Sequence, residues 1–259
     1  MSVRTRASAI AVEAALPIAL LVLVGFLTAR SAVFYYPPLT EILSTFADTW
    51  LFERVGSDVL PSLGRMSLGF VIASIVGVAG GMVLGSARKL RLAADPIVQF
   101  LRAVPPPALI PFGIVVLGTG TTMKVFLIAF VCVWPVLLNT LDGVRGVEPT
   151  LRDTARVYAI PLRDRVRHVL LPAASPQIFA GMRTSLSLAL ILMVVSEMVA
   201  STNGIGYFVL QSQRSFAIPE MWSGIVLLGL LGYALNAVFV AIERRVLRWH
   251  RGARASALN

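Results

Sequence analysis

Cysteine is nearly absent. A single residue, Cys132, in a chain of 259 excludes an internal disulfide framework and any cysteine-rich metal site. Histidine is almost as scarce, and His168 and His250 lie too far apart for metal-ligand spacing, so no metal is expected. Lysine occurs only as Lys89 and Lys124, and neither follows a glycine ahead of Ser or Thr. That removes the phosphate-binding loop of an ATPase, whose lysine must reach the terminal phosphates. Charge is sparse, at 14% of residues against about 25% in a soluble domain. Apolar residues take its place, at 57%, with mean hydropathy +0.81. So much apolar surface cannot be hidden in a water-soluble body of this length, and it is the opposite of a disordered composition. The chain reads as an integral membrane protein.

A membrane-crossing helix needs about 20 mostly apolar residues. Six segments qualify, at about 11–29, 63–84, 97–117, 125–141, 178–199 and 225–242. The first could be a secretory signal, with Arg4 and Arg6 ahead of an apolar stretch and Ala29, Ser31 and Ala32 behind it. Parity favours an anchor instead. Six spans keep both termini on one side, whereas five would export Arg244, Arg245, Arg248, Arg251 and Arg254 against the positive-inside tendency. The same tendency places Arg88, Lys89, Arg91 and the loop bearing Arg145, Arg152, Arg156, Arg163, Arg165 and Arg167 in the cytoplasm. Arg30, Arg54, Lys124 and Arg214 remain outside, among several acids. This asymmetry accounts for the net charge of +10 without nucleic acid.

The expected fold is therefore all-α and polytopic: one transmembrane domain over residues 1–259, containing a long cytoplasmic loop at 142–176 between the fourth and fifth spans. In that loop Glu148-Pro149 reads as a helix start, since proline suits the first turn. Leu151, Ala155 and Tyr158 share one face at helical spacing, and Ile160-Pro161 stops the helix. A second short helix follows at about 162–170, ended by Pro172. Residue chemistry leaves two readings of this unit, a solvated amphipathic surface loop or a docking element.

Within the spans, Gly77, Gly80, Gly81 and Gly85 read as close helix packing. Pro105, Pro106 and Pro107 cannot continue an α-helix, so the third span should break near its inner end. The broken segment either lines the bundle or pathway, or is an interfacial kink. Arg65, Arg102 and Arg183 fall near helix ends, where snorkelling suffices. Glu197 is either a helix-end acid bonded to Ser201 or Thr202, or a gate or pathway residue. Gly204-Ile205-Gly206-Tyr207, in an external loop, is a re-entrant turn or a surface for a partner. No arginine falls at mid-membrane, so no anion site is visible. Cys132 reads as a small buried residue, and no histidine lies in a span, which argues against an intramembrane enzyme.

The stretch Asp153-Thr154-Ala155-x3-Ala159-x9-Val169-x-Leu171-Pro172 resembles the EAA loop of ABC importer permeases, whose pattern is Glu-Ala-Ala, three residues, Gly, nine residues, Ile-x-Leu-Pro. The spacing matches throughout, with Ala159 standing where the family has glycine. Arg102-Ala103-Val104-Pro105-Pro106, Asn139-Thr140, Gly181-Met182-Arg183, Glu197, Gly204-Ile205-Gly206-Tyr207 and Glu243-Arg244-Arg245 extend the likeness to the nitrate, sulfonate and taurine importer branch. The resemblance implies an inner-membrane, non-catalytic subunit that works as a pair, most simply a homodimer, importing a small solute such as an anion by alternating access. It implies a cytoplasmic ATPase dimer that carries the ATP and Mg, an extracytoplasmic substrate-binding protein, and no cofactor on this chain. Carried onto these residues, Leu151, Asp153, Ala155, Tyr158, Ala159, Leu171 and Pro172 would couple to the ATPase. Arg102, Pro105, Pro106 and Glu197 would belong to the pathway or gate, and Gly204, Gly206 and Tyr207 would meet the binding protein. The alternatives are an ion-gradient-driven secondary transporter, or the same permease role for a pyrimidine precursor or aromatic acid.

Overall fold

The structure, a computed structural model, describes residues 33–249 and scattered positions between 15 and 29. The first expected span, at 11–29, lies largely outside the described residues; Arg4, Arg6, Glu13, Arg30, His250, Arg251 and Arg254 lie outside them. Every regular element among the described residues is a helix. In chain order these are α1 (Leu39–Asp48), α2 (Leu60–Ser86), α3 (Arg88–Ala103), α4 (Leu109–Leu117), α5 (Thr121–Arg145), α6 (Pro149–Val157), α7 (Leu162–Arg165), α8 (Leu171–Ala200), α9 (Ile205–Arg214) and α10 (Ile218–Val246). Wide π-type turns at Thr49–Glu53 and Val55–Val59 lead into α2, and another at Val166–Leu170 leads into α8. Four helical stretches, Val55–Ser86, Thr121–Arg145, Leu162–Ala200 and Ile218–Val246, are long and apolar enough to cross a membrane. A fifth crossing arises if α3 and the segment Pro106–Leu117 count as one bent span.

The core is a pair of parallel helices. Gly69, Ala73, Gly77, Gly81 and Gly85 recur every fourth residue on α2, and Ile128, Cys132, Val136, Thr140 and Val144 do the same on α5. A Cβ added at Gly69, Gly77 or Gly85 would fall 2.7 Å from the Cβ of Ile128, Val136 or Val144, and one at Gly81 would fall 2.5 Å from that of Thr140. The glycines let the two backbones approach until the branched side chains of α5 fill the groove of α2, which is how helices associate where lipid supplies no hydrophobic drive. Helix α8 packs antiparallel on the other side of α5. Ser185 Oγ donates to the Cys132 carbonyl (2.6 Å) and Cys132 Sγ donates back to the Ser185 carbonyl (3.3 Å). Helix α10 closes the bundle through Phe239, which meets Phe70 and Phe179. Large apolar side chains such as Ile75, Val76 and Val83 on α2 point outward, as a lipid-facing surface requires.

Two expectations change. The third span does not begin at Ile97: α3 starts at Arg88, holds Pro96 within it and buries no residue. Its chain then turns by 82° at the proline run. Just beyond, Ile110 packs with Met123, Leu127 and Ala200, so the break lies away from the end that carries the 142–176 loop rather than near it. Sixteen residues of α3, about 24 Å at 1.5 Å per residue, precede the prolines, and its polar first turns had concealed them. Pro172 also ends nothing. It sits in the first turn of α8, directly after the π turn, where a missing N–H costs little.

Candidate functional site

The end of the bundle that carries the 142–176 loop presents α6. Glu148 stands at the N-cap position, with Pro149 in the first turn, and Arg152 donates to the Val144 carbonyl, tying α6 to the end of α5. Arg156 pairs with Asp153 at 3.1 Å on the exposed side. The helix ends in a Schellman motif: Ile160 N donates to Ala155 O (3.0 Å) and Ala159 N to Arg156 O (2.9 Å). Ala159 occupies the left-handed position of that motif, with φ of 48°. An L-residue there costs about 1–2 kcal/mol that glycine avoids, so the departure from the family glycine is a strained turn and not a different one.

The exposed face differs from the one read off helical spacing. Ala155 is 2% exposed and anchors α6 to the protein, while Val157 and Tyr158 are 83% and 77% exposed. Leu151 is half-exposed. A shallow outward groove of about 400 Å³ is lined by Pro149, Thr150, Asp153, Thr154, Val157 and Tyr158. Spacing alone grouped Ala155 with Leu151 and Tyr158; the tie between Arg152 and α5 turns the small residue inward. Leu171 and Pro172 lie at the start of α8 below this unit, partly exposed. Arg102 and Pro105 are exposed at the α3 break, and Pro106 is half-buried.

The opposite end holds a buried ionic network built from α2, α8 and the start of α9. Glu197 has no exposed surface. Its Oε1 accepts from Arg65 Nη1 (2.7 Å) and its Oε2 from the Gly206 N–H (3.1 Å), while the single Ser62 hydroxyl proton is shared between the two oxygens, each 2.8 Å from Oγ. Neither Ser201 nor Thr202 is its partner; the expected bonds give way to Arg65 and Ser62, more than a hundred residues distant, and to the Gly206 N–H. Arg65 does not snorkel either, since its side chain is only 9% exposed. Its Nη2 donates to Asn203 Oδ1 at 2.6 Å. The Gly204 N–H donates to buried Asp58 (2.7 Å), and Ile205 N to Ser62 Oγ (3.0 Å). Asp58 also takes Ser57 Oγ (2.9 Å) and Arg54 (3.3 Å), and that guanidinium lies 4.8 Å over the Phe208 ring. Three successive donors at the start of α9 are thus met by Asp58, Ser62 and Glu197, the groups its positive end favours. Gly204, with φ of 112°, has no room for a Cβ against the Glu197 carboxylate. Gly204 and Gly206 are buried in this network, and Tyr207 is half-buried.

Beside the network lies a cavity of about 420 Å³ lined by Arg65, Thr119, Gly120, Thr121, Lys124 and residues 199–203. Lys124 is 3% exposed and donates to the Thr119 and Gly120 carbonyls, at 2.9 and 3.4 Å. Arg65 and Lys124 were both visible in the sequence, but nothing there indicated that they face one space. Among the described residues no group of three or more His, Cys, Asp or Glu could hold a metal.

Comparison with known proteins agrees with this architecture. Residues 69–251 match the family described as the binding-protein-dependent transport system inner membrane component. The chain is 32% identical over 232 residues to the putative aliphatic sulfonates transport permease protein SsuC of Bacillus subtilis, covering 90% of this chain and 84% of that one. It is 31% identical to the nitrate import permease protein NrtB of Synechocystis, over 80% of this chain and 75% of that one. The fold superposes on a chain of the inward-facing MetNI methionine ABC transporter with a TM-score of 0.64 at 21% identity, covering 73% of this chain and 94% of that one. With the helical bundle and these matches in hand, the chain belongs to the inner membrane component family of binding-protein-dependent transport systems, the permease subunits of ABC importers.

Proposed function

We propose that this permease imports a small anion by alternating access, driven by a separate cytoplasmic ATPase dimer that binds the ATP and Mg. An extracytoplasmic binding protein delivers the solute, and two copies of the chain form the path, with both termini in the cytoplasm. The chain itself catalyses no reaction. The observation that carries this reading is the α6 unit: a short helix fixed by Arg152 and Ala155, with Val157 and Tyr158 left apolar and exposed beside a groove. Such a face suits helix-in-groove docking. The names of the sulfonate and nitrate relatives support an anion as cargo. Glu197 supports no proton relay, because three donors already occupy its two oxygens.

The test is Val157→Glu. Because Val157 is outside the packed core, the variant should insert and fold normally. Docking would desolvate an unpaired carboxylate at a cost of several kcal/mol, and each 1.4 kcal/mol is tenfold in affinity. The ATPase should therefore fail to co-purify from membranes, and binding-protein-stimulated ATP hydrolysis in liposomes should vanish. Ala155→Glu, by contrast, should disrupt the loop itself. Full ATPase association by Val157→Glu would reduce α6 to a solvated surface loop and remove the physical support for coupling.

A further inference from the structure

We infer that the cavity lined by Arg65, Thr119, Thr121, Lys124, Ser201 and Thr202 is a binding site for a small oxyanion. It lies at the end of the bundle opposite α6, where α2 and α5 begin and α8 ends. Two cations line it, and none of its described lining residues is acidic. Arg65 is fixed: Glu197 compensates its charge, and Asn203 holds the guanidinium. Lys124 is different. It is buried, makes no salt bridge among the described residues, and spends two of its three N–H donors on neutral carbonyls. The field of Glu197 reaches Lys124 as well, but that carboxylate is already paired with Arg65; two cations share one acid, and a buried ammonium so weakly compensated is costly, so one net positive charge at a polar cavity favours an anion. The hydroxyls of Thr119, Thr121 and Thr202 and the remaining lysine N–H supply donors to ligand oxygens, and charge-assisted bonds are the strong ones. One net positive charge with several hydroxyl donors suits a singly charged oxyanion, for which nitrate and methanesulfonate serve as probes. This inference rests on the importer reading only for the direction in which the anion moves.

The experiment uses the purified permease in lipid nanodiscs. Its thermal midpoint is followed against sodium nitrate or sodium methanesulfonate, with sodium gluconate holding ionic strength constant. Ligand that binds only the folded state raises the midpoint in a saturable way. Wild type and Lys124→Arg should show that saturable rise. Lys124→Met should need roughly tenfold or more of the anion, the loss of one charge-assisted bond. Thr202→Asp should do the same by placing a carboxylate in the cavity, while the Lys124 bonds to Thr119 and Gly120 stay intact. The midpoint of each variant in gluconate reports its folding. An equal shift in all salts, no shift in wild type, or an undiminished shift in both variants would overturn the site. None of those results alters ATPase association through α6, so the site can fail while the importer reading stands. Loss of ATPase coupling with anion binding retained is the reverse case.

Discussion

At the residue scale the central feature is the Glu197–Arg65 pair. Breaking a buried pair is costly, about 3–5 kcal/mol when one partner is removed, because the surviving charge is left uncompensated. Glu197→Gln keeps a side chain of the same shape but strands Arg65 and weakens the capture of the Gly206 N–H. It should lower stability by about that amount, read as a denaturation midpoint in detergent. Replacing both residues by Met should cost less than the two single changes added together, the sign of direct coupling. A Glu197→Gln protein as stable as wild type would show that the carboxylate does not pin the bundle. The acid itself was conspicuous in the sequence as a charge near a span. Its partners were not, because Arg65 and Ser62 lie 132 and 135 residues away and no local pattern connects such positions.

At the element scale, the α2–α5 ladder makes a paired prediction. Gly81→Ala would force a Cβ to 2.5 Å from Thr140 Cβ and 2.6 Å from the Leu137 carbonyl. Neither backbone can yield easily, so the helices must separate, with an overpacking cost of about 1–3 kcal/mol. Gly64→Ala lies on the same helix with nothing within 4 Å of the added methyl. It should be neutral or stabilise by up to about 1 kcal/mol, since glycine is the poorer helix former. Thermal unfolding of the two variants side by side is the measurement; equal effects would mean that the glycines do not set the interhelical distance. The glycine run was legible as a packing stripe, and Gly69 extends it by two further turns. That its partner is α5, running parallel, was not legible, because a stripe of small residues fits any complementary ridge. The face of α6 was misjudged for a related reason. Leu151, Ala155 and Tyr158 do share a helical stripe, but which part of a stripe turns inward depends on what the helix is tied to.

At the scale of the whole molecule, the ends of the bundle differ in charge and are expected to lie on opposite sides of the membrane. Cys132 is fully buried, so it can remain while single cysteines are added. Ser44→Cys, exposed on α1, should react with an impermeant thiol reagent in intact cells. Thr154→Cys, exposed on α6, should react only after the membrane is opened. Labelling of Thr154→Cys from outside would invert the orientation and remove α6 from reach of a cytoplasmic ATPase. What the sequence alone determined is the class: an all-helical membrane protein, the four long apolar helices among its described residues, the glycine stripe, and a charged loop with EAA-like spacing. Those features are local in the chain, encoded in composition and period, and so are readable in one dimension. The tertiary structure decided which helices pair, where the proline break sits, that Ala155 faces in and Val157 out, and that Arg65 and Lys124 line one cavity beside the Glu197 network. Those depend on contacts between segments far apart in sequence, and only packing brings such residues together.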